Sequence, residues 1–151
     1  LAGGRPLSML LMRPELDHWR PGEQVGMFQG DNLAYVSATE LLLLWDDDAL
    51  VARIHRLGEI IAARLRALAA RYPRRNVEIR GVGMIWALDF GQPASAAVVS
   101  AWALERGLVV EPAEINNQVL LVAPPITIDE AILHEGLERL DQAVSMFLDH
   151  K

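Results

Sequence analysis

At 151 residues, with 52% hydrophobic and 23% charged residues, the chain is long and apolar enough to bury one sizeable core. Its formal net charge of −6 argues against a nucleic-acid partner, which needs a basic face, and against an anionic membrane surface; no run of roughly 18 apolar residues is present to span a bilayer. The absence of cysteine excludes disulfides, thiolate zinc sites and cysteine nucleophiles.

In chain order, Leu1-Ala2-Gly3-Gly4-Arg5-Pro6 lacks the basic and then apolar character of a signal peptide. Together with the acidic, cysteine-free composition this points to the cytoplasm. The first residue is Leu1 rather than Met, so the chain is expected to be a piece of a longer polypeptide. Leu7 to Met12 is a short apolar run and a candidate buried strand, ended by Pro14. Residues 14–32 carry Pro14, Pro21, Gly22, Gly26 and Gly30 with little periodicity, and predict a long loop. Asp31 or Asn32 is placed to cap a helix from Leu33 to Trp45.

Asp46-Asp47-Asp48 puts negative charge at the start of the next helix, where the dipole favours it. Leu50, Ile54, Leu57, Ile61, Leu65 and Leu68 form one apolar stripe, and Pro73 stops it. Beyond Pro73 the pattern becomes β-β-α-β-β-α. Val77 to Arg80 and Met84 to Phe90 read as strands around Gly81-Val82-Gly83, and a helix from Ser95 to Arg106 ends at Gly107. Leu108 to Glu111 and Val119 to Val122 read as two more strands. Thr127 to Glu130 has capping-box spacing ahead of a last helix with Ile132, Leu133, Leu137, Leu140, Val144 and Phe147 on one face. The fold class is α/β, with an α+β portion of short strands and helices packed on one face.

Chemistry-bearing residues are sparse. Gly26 to Leu33 places two glycines around an aromatic before a helix start, a place where backbone amides hold phosphates. Spacing alone favours an ordinary turn and N-cap there. Arg80-Gly81-Val82-Gly83 reads as a strand-to-strand turn more readily than as an anion site. His18, His55, His134 and His150 show no metal-ligand spacing, so neither a metal nor a catalytic histidine is expected. The arginines from Arg53 to Arg75 read as a solvated face. Lys151 is the only lysine.

Taken in order, five segments resemble the C-terminal part of class III aminotransferases dependent on pyridoxal phosphate, closest to the diaminobutyrate–2-oxoglutarate group. Leu1-Ala2-Gly3-Gly4 is similar to the stretch that follows the cofactor-bearing lysine in that family. Met12 to Glu23 matches the diaminobutyrate group. Phe28-Gln29-Gly30-Asp31-Asn32-Leu33-Ala34 resembles Phe-Arg-Gly-Asn-x-Leu-Ala. Arg80 to Phe90 resembles Arg-Gly-x-Gly-Met-x-Trp-Gly-Leu-Asp-Phe. Glu105 to Leu108, with Pro124 to Asp129, completes the match.

The resemblance implies the C-terminal part of a fold-type I pyridoxal phosphate transferase. Residues 1–45 would be the tail of a large cofactor-binding domain, 46–74 a linking helix, and 75–151 a small C-terminal domain. It implies Met27, Phe28, Gly30 and Asn32 as cofactor-binding residues that reach the phosphate in the other subunit of a homodimer. Amino-acid and 2-oxo-acid substrates are implied, such as glutamate and aspartate semialdehyde. The family's lysine would lie just ahead of Leu1, so no catalytic residue falls in this chain. Alone, the chain is expected to be inactive and to hold no cofactor covalently. Met27 stands where the family has a phosphate-binding threonine, and Leu121 where relatives carry a basic residue. Those departures favour a second reading, a non-catalytic dimerisation or interaction module derived from a degenerate transaminase.

Overall fold

The structure is a computed structural model that describes residues 4–23, 26, 30–113 and 115–150. It divides into two compact units, Leu1–Val51 and Ala52–Lys151.

In the first unit, the apolar run from Leu7 to Met12 is not a strand. Leu10 and Leu11 are 75% and 86% exposed, with Pro6 and Pro14 on either side. No ladder partner lies beside the run among the described residues, and an extended segment without one gains no backbone hydrogen bonds. A single 3-10 turn, Pro14–Leu16, follows. Helix α1 spans Asn32–Leu42 and tightens into a 3-10 turn over Leu43–Trp45, so the expected helix is present with a changed last turn. Only Ala34 and Ala38 are buried along α1, packed against Leu7.

Helix α2 spans Ala49–Ala70. Asp47 accepts a hydrogen bond from the Ala49 N–H at 2.9 Å, as expected of the acidic triplet. The buried face of α2 is Leu57, Gly58, Ile61, Ala62, Leu65 and Leu68. Strands β1 (Glu78–Val82) and β2 (Ile85–Asp89) form an antiparallel hairpin around Gly83 and Met84. Positive φ at Gly83 alone of that pair is what a type II′ turn requires. Helix α3 (Ser95–Glu105) ends at Gly107 with φ 71°, the predicted left-handed cap.

Strand β3 is Glu111–Ala113 rather than Leu108 to Glu111, and β4 is Val119–Val122 as predicted. The register explains the shift. Glu111 pairs with Leu121, so Val110 would face Val122, the last residue of β4, and Val109 and Leu108 would face Ala123 and Pro124, where proline ends the ladder. The carbonyl of Val110 instead accepts from Ser100 Oγ at 2.6 Å. Pro112 is tolerated in β3 because β3 is an edge strand. Helix α4 spans Glu130–Asp149, and its cap is Asp129, whose carboxylate takes the Ala131 N–H at 2.8 Å. Thr127 is not the cap, because the backbone at Asp129 is still extended (φ −64°, ψ 140°) and the helix begins only after it.

The four strands lie in the order β1-β2-β4-β3, all antiparallel. One face packs Trp86, Leu88, Leu120 and Val122 against α2, α3 and α4 in a single core. The other face exposes Val82, Ile85 and Leu121. This is the expected layer of short strands with helices on one side.

Candidate functional site

The glycine-containing loop ahead of α1 was the strongest candidate in the sequence. Met27 and Phe28 lie outside the described residues; Gly30 and Asn32 are within them. Gly30 has φ 93°, and a Cβ added there would meet none of the described residues beyond its chain neighbours within 4 Å. Its N–H donates to the Tyr35 hydroxyl at 3.2 Å. Asn32 is exposed at the first position of α1.

Asp31 sits between them as the N-cap. Its Oδ1 accepts from the amides of Leu33 at 3.0 Å and Ala34 at 3.3 Å. Its Oδ2 accepts from Arg5, through Nε at 3.1 Å and Nη2 at 2.9 Å. Hydrogen bonding from Arg5, helped by the Ala34 and Leu33 amides and the positive guanidinium, holds the Asp31 carboxyl below the usual aspartate range. Two first-turn amides of α1 are therefore already taken by a carboxylate. Sequence reading missed Arg5, because a partner 26 residues away leaves no local spacing signal.

The strand-to-strand turn the sequence favoured is present but shorter than expected: Arg80, Gly81 and Val82 pair within β1, and only Gly83 and Met84 form the turn. Arg80 pairs with Asp89 across the hairpin at 3.2 Å, and a Cβ at Gly81 would lie 2.4 Å from the carbonyl oxygen of Ile85. Leu121 falls on the exposed sheet face, in one row with Arg80, Ala87 and Glu111. A cavity of about 380 Å³ opens between the β3–β4 end and α4; its lining is aliphatic except for Glu111.

Arg56 and Arg64 on α2 and Arg71 just after it are half exposed, as a solvated face requires, yet they also tie the fold. Arg64 and Arg71 both reach Asp141 on α4, Arg56 reaches Glu130, and Arg66 lies over the Trp86 ring at 5.3 Å. Among the described residues no group of three or more His, Asp or Glu is placed to hold a metal. No helix among them is long and apolar enough to cross a membrane.

Comparison with known proteins bears on the family and the fold. The sequence model of the Aminotransferase class-III family matches residues 1–144. An uncharacterized aminotransferase of Sinorhizobium fredii is 46% identical over 143 residues, covering 94% of this chain and 32% of its own length. A diaminobutyrate–2-oxoglutarate transaminase of Wolinella succinogenes is 39% identical over 148 residues, covering 98% of this chain and 35% of its own length. The chain thus spans about a third of the curated relatives it matches. Among solved structures, acetylornithine aminotransferase from Elizabethkingia anophelis superposes with a TM-score of 0.70 at 22% identity, over 85% of this chain and 33% of that one. Lysine aminotransferase from M. tuberculosis gives 0.66 at 23% identity, over 76% of this chain and 26% of that one.

Proposed function

The chain belongs to the class-III aminotransferase family, and from that premise we propose that it is the C-terminal part of a pyridoxal-phosphate-dependent transaminase. The reaction proposed moves an amino group between glutamate/2-oxoglutarate and an aldehyde such as aspartate semialdehyde. The observation that carries this reading is the family match over residues 1–144, together with relatives described as diaminobutyrate–2-oxoglutarate transaminases at 32–39% identity. In this reading residues 1–45 are the tail of the large domain, 46–74 the linking helix and 75–151 the small domain. The working enzyme is a cytoplasmic homodimer acting on amino-acid and 2-oxo-acid substrates.

Pyridoxal phosphate, when bound, supplies the carbonyl that takes the amino group and the ring that withdraws electrons from the reacting carbon. The described residues suit its phosphate end. The backbone at Gly30 leaves room for a phosphate although its N–H donates to the Tyr35 hydroxyl, and the exposed Asn32 carboxamide supplies a donor beside it. The Leu33 and Ala34 amides are committed to Asp31, so the phosphate would be met by the loop rather than by the helix terminus. Met27 and Phe28 complete the proposed contact set. In this reading the lysine that carries the cofactor lies ahead of Leu1, and this chain serves as a rim and a small-domain wall.

The test is a coupled assay on the intact polypeptide that carries this chain, supplied with pyridoxal phosphate, glutamate and aspartate semialdehyde. Formation of 2-oxoglutarate with 2,4-diaminobutyrate is expected. No 2-oxoglutarate with this aldehyde or any other tested acceptor overturns the reading. The second reading, a non-catalytic interaction module, is favoured by the aliphatic Leu121 on the exposed sheet face.

A further inference from the structure

We infer that Arg5 is a positioning residue for the phosphate-facing loop: it cancels the charge of Asp31, a carboxylate built into the loop beside the proposed phosphate contacts. This rests on the phosphate-facing reading of Gly30 and Asn32 given above.

Asp31 lies between those two residues and cannot swing away. Its Oδ1 is fixed by the Leu33 and Ala34 amides, so the carboxylate stays at the mouth of the loop. A phosphate approaching Gly30 and Asn32 meets that negative charge at close range, and like charges there oppose binding. Protonation does not relieve the conflict near neutral pH, because an aspartate carboxyl is ionised there even without Arg5. The compensating charge is Arg5, with two nitrogens on the one oxygen that the helix amides leave over. That bidentate grip fixes the guanidinium as well as neutralising the acid. The segment this loop resembles, Phe-Arg-Gly-Asn-x-Leu-Ala, is uncharged at the Asp31 position, so the need for Arg5 arises with the acid.

The alternative role is a mechanical staple, in which the pair merely closes the neck of a 26-residue excursion. Asp31→Asn separates the two, because asparagine still caps a helix but carries no charge. The measurement is the dissociation constant of pyridoxal 5′-phosphate for the cofactor-stripped intact polypeptide. Arg5→Gln is expected to weaken binding roughly three- to tenfold at low salt, with the defect shrinking as salt is raised. Asp31→Asn in the Arg5→Gln background is expected to return affinity to within about twofold of the parent. Unchanged affinity in Arg5→Gln overturns the inference. So does a defect that Asp31→Asn fails to rescue, or one indifferent to salt; both are the marks of a staple. A parent polypeptide that binds no pyridoxal phosphate is a different result, and removes the underlying reading as well.

Discussion

Gly58 on α2 and Gly83 in the β1–β2 turn meet backbone to backbone: a Cβ built at Gly58 would stand 2.3 Å from the Gly83 carbonyl oxygen. The same oxygen accepts the Trp86 indole N–H at 2.8 Å. The helix therefore lies directly on the hairpin, and the pair fixes how closely α2 approaches the sheet.

Gly58→Ala is expected to destabilise the fold by about 1–3 kcal/mol, because a backbone carbonyl rather than a flexible side chain must yield. Gly136→Ala on α4 has the opposite sign. Its Cβ would meet only Leu108 Cδ1, at 3.7 Å, and alanine gains about 0.5–1 kcal/mol over glycine inside a helix. Denaturant unfolding of both variants checks the pair, and equal effects would contradict the packing described.

Asp141 on α4 gathers Arg64 at 3.4 Å, Arg71, and the Ser145 hydroxyl at 3.2 Å, with 13% of its side chain exposed. Asp141→Ala leaves the guanidinium groups of Arg64 on α2 and of Arg71 just after it without this anchor and is expected to cost about 1–2 kcal/mol. A double-mutant cycle with Arg71→Ala measures the coupling; a coupling near zero would assign the loss to packing alone.

Asp31 is expected to titrate below an ordinary aspartate in an NMR carboxyl titration, and Arg5→Gln to raise its midpoint. The sign for stability follows. A lowered folded-state value adds stability that is complete above the unfolded-state value and fades as pH falls through the folded one. Protection of the first turn of α1 should thus be steady at neutral pH and fade only in acid. Fading already at mildly acidic pH would rule out the Arg5 effect.

Borohydride reduction of the 151-residue chain with pyridoxal phosphate is expected to leave no stoichiometric pyridoxyl label by mass spectrometry. Lys151 is its only lysine, with no cofactor contact assigned to it. One label per chain would overturn the proposal that the cofactor-bearing amine lies elsewhere.

In the first unit Leu10, Leu11, Leu16 and Trp19 stay exposed, and together with Met12, Arg13 and Glu15 they line a mostly apolar hollow. Apolar clusters of this kind drive association. Light scattering of the isolated chain at rising concentration should give species above monomer mass, whereas a monomer throughout would contradict this.

Some of this molecule was legible in the residues alone. The stripe from Leu57 to Leu68, the β-β-α-β-β-α order, the Gly107 cap and the Val119–Val122 strand all follow from local periodicity and backbone allowance, which neighbouring residues decide. The ordered motifs likewise pointed to the aminotransferases before any coordinates did. Only the tertiary structure decided the rest. Leu7 to Met12 has strand composition but no strand, because a ladder needs a partner that composition does not supply. The position of β3 depends on its register with β4, and the choice of Asp129 as cap on the extended backbone it adopts before α4. The Arg5–Asp31 pair joins residues 26 apart, and such pairs form only where folding brings two distant stretches of chain together.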